Sequence, residues 1–171
     1  HQLARGPGRS RLLVTPGRAA HAVAACFENK NDSQSASMLH GSLSILMMPA
    51  LSQIDYDHLL WACDLNFVRG EDSLVRALWA GRALVWQPYL QSDGAHQVKL
   101  EAWLQQLQVP DSLARFHRTW NAASADALTA VEWPVWQHWA ELTRSRLLQQ
   151  TDLGSSLLAC VERLRDQASA G

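Results

Sequence analysis

Cysteine, net charge and long apolar runs are all scarce in this chain, and each scarcity removes a class of protein. Three cysteines, Cys26, Cys63 and Cys160, are spread over 171 residues. Their spacing fits no zinc pattern, and an odd number argues against a disulfide framework. They read as reduced thiols, which points to a cytoplasmic protein. The net charge is -1, so charge balance offers no basic face for nucleic acid. No apolar run reaches the ~18 residues of a membrane span. The opening residues, HQLARGPGRSRLL, hold no signal-peptide core, and no membrane partner is expected. An initiating Met is absent, which is read as a start inside a longer protein or a trimmed end. The seven histidines contain no i, i+4 pair of the kind that binds zinc on a helix, so neither metal nor other cofactor is expected. Walker, G-x-G-x-x-G and G-x-S-x-G motifs are missing.

What remains is a globular composition, with 47% hydrophobic and 18% charged residues, in a chain long enough for one domain with a real core. Eight tryptophans fall mostly on predicted helices, where packing is their default role. His1 to Ser10 reads as loop or frayed end. Leu12 to Val14 reads as a strand, Arg18 to Phe27 as a helix and Asn29 to Ser37 as a flexible loop. A strand over Ser42 to Met48 ends at Pro49, and a short helix from Gln53 or Asp55 runs to Trp61. Asp64 to Val68 is a strand, Asp72 to Ala80 a helix ended by Gly81, and Leu84 to Gln87 a strand ended by Pro88. This alternation predicts an α/β fold. Its four strands are expected in one parallel sheet, with helices on both faces and Pro49, Arg69 and Pro88 along one edge. Helices over Gly94 to Val109, Asp111 to Asn121, Trp133 to Gln150 and Asp152 to Gln167 follow. One domain over 1–171 is expected, with a core at about 11–109 and a helical tail at about 110–168.

The stretch that can carry chemistry is Asp55 to Gln91, and its centre is strand, Arg69-Gly70-Glu71-Asp72-Ser73, helix. Ligands of open α/β sheets sit at strand carboxyl ends, and a helix start favours anions. Arg69 offers a donor fork suited to phosphate; a surface ion pair with Glu71 or Asp72 is the equal alternative. Gly70 allows the tight turn. Glu71 and Asp72 can simply stabilise the helix macrodipole, worth ~0.3–1 kcal/mol. Ser73 can donate to a phosphate or cap the helix, and Asp72 can serve as a cap. Gln53 can bond a pyrimidine or ribose edge, or serve as a helix cap or solvent-facing residue. His96 is read as a structural residue at a helix start, with donor contact as the alternative.

These blocks also carry a resemblance. DYDHLLWACDLNFVRGEDSLVRALWAG followed by VWQPYLQ resembles the protein-arginine rhamnosyltransferases that modify bacterial elongation factor P. The resemblance is dense over about forty residues and looser from Leu12 to Val109. It implies the second, Rossmann-like domain of a two-domain GT-B glycosyltransferase, so the missing N-terminal domain is an implied partner. The implied donor is dTDP-β-L-rhamnose and the implied acceptor an arginine of elongation factor P, with inversion at the sugar carbon. Residue by residue, it implies a catalytic role for Glu71. Donor contacts are implied for Gln53, Tyr56, Arg69, Gly70, Asp72, Ser73, Tyr89 and Gln91. The family usually places a Phe at Tyr56 and an aromatic at Ala50, and orders the last motif I-Y-P-Q where this chain has P-Y-L-Q. The rival class is a non-catalytic nucleotide-binding or protein-interaction module.

Overall fold

The computed structural model describes residues 2–6, 8–27, 37–122 and 127–169. They divide into two compact units, His1–Tyr56 and Asp57–Gly171. No helix among them is long and apolar enough to cross a membrane. The three cysteines are free.

The first unit comprises α1 (Gln2–Arg5), β1 (Ser10–Val14), α2 (Arg18–Phe27), β2 (Ser37–His40) and β3 (Leu43–Met47). Strand β3 pairs in parallel with β1 and antiparallel with β2. The apolar core is Ala4, Val14, Leu43 and Ile45, with Leu12, Ala20, Val23 and Met47 packed against it. Two expectations are corrected here. The opening segment is not all loop, because α1 is anchored: the Ser42 N–H donates to the Ala4 carbonyl at 3.0 Å, and the Ser42 hydroxyl lies 3.0 Å from the Leu3 carbonyl. The sheet is not purely parallel. Gly41, at φ 62, and Ser42 form a two-residue link from β2 to β3, and so short a link can only join antiparallel strands. The expected flexible loop lies outside the described residues except for Ser37, which is in β2.

Helix α3 (Gln53–Ala62) spans the division between the units. The second unit holds β4 (Leu65–Arg69), α4 (Glu71–Ala80), β5 (Ala83–Gln87), α5 (Ala95–Gln106), α6 (Asp111–Asn121), α7 (Trp133–Leu148) and α8 (Leu153–Ser169). Its sheet is the parallel pair β4–β5. One four-stranded parallel sheet was expected; the hydrogen bonds instead make a mixed three-stranded sheet and a separate parallel pair. Strand β5 is apolar and buried from Ala83 to Trp86, as a strand covered on both faces should be. Phe67 of β4 meets Phe116 and Trp120 of α6. Its buried neighbour Asn66 donates to the Leu60 carbonyl of α3 at 2.9 Å. Alternation along the strand therefore puts α6 and α3 on opposite faces.

At the outer edge of β5, among the described residues, side chains of α6 take the backbone groups of Trp86. The Trp86 N–H donates to Nε2 of His117 at 3.0 Å, and Nδ2 of Asn121 donates to the Trp86 carbonyl at 3.0 Å. His117 and Asn121 stand one helical turn apart on α6 and so occupy both backbone groups of a single residue. At the start of β5, on the side that faces β4, the Ala83 N–H donates to Oε1 of Gln137 at 3.2 Å. His117 is fully buried. Its Nδ1 lies 2.9 Å from the Leu113 carbonyl, so Nδ1 carries the proton and Nε2 accepts.

Burial pushes the His117 pKa down to about 4, below the ordinary 6.5. The folded chain keeps the imidazole neutral while the unfolded chain protonates it first. Stability from this group is therefore complete above about pH 6.5 and falls as pH drops towards about 4, by about 3 kcal/mol in all. Urea unfolding at pH 7 and pH 4.5 should show this loss, and His117→Gln, which keeps an acceptor without titrating, should flatten it. An unchanged pH slope in the variant would assign the acid sensitivity to other groups.

Candidate functional site

The carboxyl ends of β4 and β5 meet at a single glycine. Arg69 is in register with Gln87, and the Gly70 N–H continues the ladder to the Gln87 carbonyl at 3.0 Å. The Gly70 carbonyl accepts the buried indole N–H of Trp86 at 3.0 Å. Gly70 has φ 77 and ψ 173, a region of backbone space open essentially to glycine alone. A Cβ there would lie 2.7 Å from the Tyr89 ring.

That ring extends from the loop after buried Pro88 and receives the Arg69 guanidinium, with Cζ 5.2 Å from the ring centroid. This is cation–π distance. The Arg69 Nε is buried and has no hydrogen-bond partner among the described residues. The alternative of an ion pair from Arg69 to Glu71 or Asp72 is not what forms. Glu71 pairs with Lys99 of α5 at 2.8 Å. Asp72 pairs with Arg76 at 3.2 Å, and Arg76 also grips Asp57 at 2.9 Å. Glu71 thus has a cation to itself, Asp72 shares Arg76 with Asp57, and among the described residues no acid pairs with Arg69. The hydrogen bond from Lys99 is the chief reason that the Glu71 carboxyl is held below the usual carboxylate range.

The capping expectation also needs correction. Helix α4 starts at Glu71 with Gly70 as its N-cap and no side-chain cap bond, so neither Asp72 nor Ser73 caps it. Its first internal bond runs from the Leu74 N–H to the Gly70 carbonyl at 3.3 Å. The next N–H groups back, at Asp72 and half-buried Ser73, belong to the open helix start, while that of Glu71 faces its own carboxylate. Gly70 thus gathers Arg69, Glu71, Asp72, Ser73 and Tyr89 at one strand end. Gln91 follows in an exposed loop, its N–H donating to Nδ1 of His96 at 3.2 Å, so His96 braces the loop. Gln53 and Tyr56 lie on α3 in the first unit. Gln53 is exposed and Tyr56 half-buried. The cap of α3 is Ser52, whose hydroxyl accepts the Asp55 N–H at 3.1 Å.

Two residues of this arrangement were not anticipated. Trp86 fixes the turn through its indole, and Lys99 reaches Glu71 across 28 residues of sequence. Lys99 stands three residues after His96 on α5, and nothing in the local sequence ties it to Glu71.

Gly70→Ala should lower stability by roughly 1–3 kcal/mol, because alanine pays the strain of that backbone region. Urea unfolding of the variant checks this, and wild-type stability would show that the turn can relax.

The chain matches the family described as Elongation-Factor P (EF-P) rhamnosyltransferase, EarP, over residues 1–162. It is 37% identical over 159 residues to a protein-arginine rhamnosyltransferase of Pseudomonas aeruginosa, a match covering 87% of this chain and 42% of that protein. It is 40% identical over 128 residues to one of Pseudomonas putida, covering 69% and 34%. A solved structure described as "Structural basis for EarP-mediated arginine glycosylation of translation elongation factor EF-P" superposes with a TM-score of 0.76 at 31% identity, covering 94% of this chain and 54% of that one. The chain thus spans about half the length of the proteins it matches, or less. It belongs to the EF-P rhamnosyltransferase family.

Proposed function

We propose that this chain is the donor-binding half of a GT-B enzyme that transfers L-rhamnose from dTDP-β-L-rhamnose to an arginine side chain of elongation factor P. The carrying observation is the Arg69 guanidinium, stacked on Tyr89 beside the start of α4, with its Nε buried and unpaired. An unpaired buried donor is costly in the empty protein, and a diphosphate would satisfy it while meeting the open N–H groups of α4. The Rossmann-like assignment of this half rests on family membership and on the parallel β4–β5 pair with its helices.

Roles follow from charge. Arg69, Ser73 and the α4 start hold the diphosphate of the donor, so the charge that develops on the leaving group is met by fixed donors. With Glu71 paired to Lys99, its repulsion of a nearby diphosphate is offset, whereas Asp72 shares Arg76 with Asp57 and is kept off the phosphates. Asp72 is assigned to ribose hydroxyls. Gln91 and Tyr89 close the sugar end.

In the transfer, a guanidinium nitrogen attacks the anomeric carbon from the face opposite the diphosphate. The carbon–oxygen bond to dTDP breaks, and one such displacement inverts the centre. An arginine is protonated at neutral pH, so the attacking nitrogen must give up a proton to a carboxylate. In this reading that base belongs to the other half of the enzyme, and Glu71, ionised and half-exposed, orients the acceptor guanidinium. No metal enters the scheme, since Arg69 and the helix start supply the positive charge.

Calorimetric titration of the 171-residue chain with dTDP and UDP tests the site. Arg69→Ala should weaken dTDP binding by on the order of 1.5–3 kcal/mol, the worth of charge-assisted hydrogen bonds. Arg69→Lys should restore only part, because the fork is lost. Unchanged affinity in the alanine variant at low salt would remove Arg69 from the site and favour a non-catalytic interaction module.

A further inference from the structure

We infer that Lys99 is a positioning residue for the transfer, acting only through Glu71. This inference rests on the proposed role of Glu71. The observation behind it is the bond from Lys99 Nζ to Oε1 of Glu71, 2.8 Å long, which ties the first residue of α4 to the middle of α5. Glu71 follows directly on Gly70, and the glycine sets where the backbone of residue 71 goes but not where its carboxylate goes. The side chain is half-exposed and has three rotatable bonds. Apart from Lys99, only its own backbone N–H contributes to holding it ionised. Lys99 is what selects one placement of the carboxylate.

The way Lys99 holds Glu71 matters as much as the contact. Elsewhere in the unit, Arg118 takes both oxygens of Glu101, at 2.7 and 2.8 Å. A guanidinium fork occupies a carboxylate in this bidentate manner, whereas an ammonium is a point donor. Lys99 engages Oε1 alone, so Oε2 stays available to a second partner. An acceptor guanidinium is such a partner, needing one well-placed carboxylate oxygen beside the reacting carbon. The chain has only two lysines against thirteen arginines, so a lysine at this position departs from the chain's own habit and avoids the bidentate grip.

Stability does not account for the pair. Both side chains are about half exposed, 46% for Lys99 and 50% for Glu71, and exposed pairs of this kind contribute little to folding. Lys99→Met keeps the length and apolar stem of the side chain and removes the charge. It should melt like the wild type while leaving Glu71 free to turn.

The test is a double-mutant cycle in an enzyme carrying both halves, using Lys99→Met, Glu71→Gln and the two together. Rhamnose transfer to elongation factor P is followed at varied dTDP-rhamnose. Lys99→Met should lower kcat about tenfold or more, as loss of orientation does, with the donor KM within about twofold. The double variant should be no slower than Glu71→Gln alone, because removing the carboxylate removes what Lys99 acts on. Losses that multiply would show that Lys99 acts on its own and would overturn the inference, as would wild-type kcat in Lys99→Met with Glu71→Gln impaired. Wild-type kcat in Glu71→Gln would instead overturn the role given to Glu71, on which the inference rests.

Discussion

The backbone of Gly70 is the constraint on which the site depends. Its N–H and carbonyl are both claimed by β5, through the Gln87 carbonyl and the Trp86 indole. Its φ of 77 turns the chain from strand into helix with no intervening loop. Because there is no slack on either side, the residue before it ends a strand and the residue after it starts a helix. Arg69 and the α4 amides are therefore presented together. The missing Cβ does a second job, since it makes room for the Tyr89 ring, on which the Arg69 guanidinium rests. One residue type thus determines the turn, the aromatic support and the direction of the positive charge.

Behind that turn, rigidity comes from the aromatic interior of the second unit. Trp86 contacts Trp103, which in turn meets His117 and Trp139. Trp86 also holds Gly70 on one side and hands its own N–H and carbonyl to His117 and Asn121 on the other. The same tryptophan links the buried core to the surface turn. With its N–H and carbonyl taken by a histidine and an asparagine, Trp86 offers neither group to another strand, which opposes edge-to-edge pairing there. The arrangement depends on a neutral imidazole, and so it carries its own acid sensitivity.

Much of this was legible in the sequence, for local reasons. Pro88 and Gly81 ended their elements as such residues must, and Asp111 to Asn121 was read to the residue. The RGEDS block marked the right turn, although its N-cap is the glycine and not Asp72 or Ser73. What the sequence hid was long-range. Which strands pair is decided by packing between distant segments, so the antiparallel β2 went unread although Gly41-Ser42 is a hairpin signal. The choice of partner for each charge was equally invisible. Arg69, Glu71 and Asp72 are neighbours in sequence, and an ion pair among them was as plausible as a ligand site. Only the arrival of Lys99 from α5 and of Arg76 one turn along α4 shows that the two acids are occupied and Arg69 is not.

The central claim is that the uncancelled Arg69 and the open start of α4 together receive the donor diphosphate. The most direct test is a dTDP titration of the chain followed by nitrogen–proton correlation spectra. The account predicts saturable shifts of the backbone amides of Gly70, Glu71, Asp72 and Ser73, with the Arg69 Nε–H signal moving at the same midpoint. Binding of dTDP that leaves those amides and the Arg69 Nε–H unmoved would contradict it.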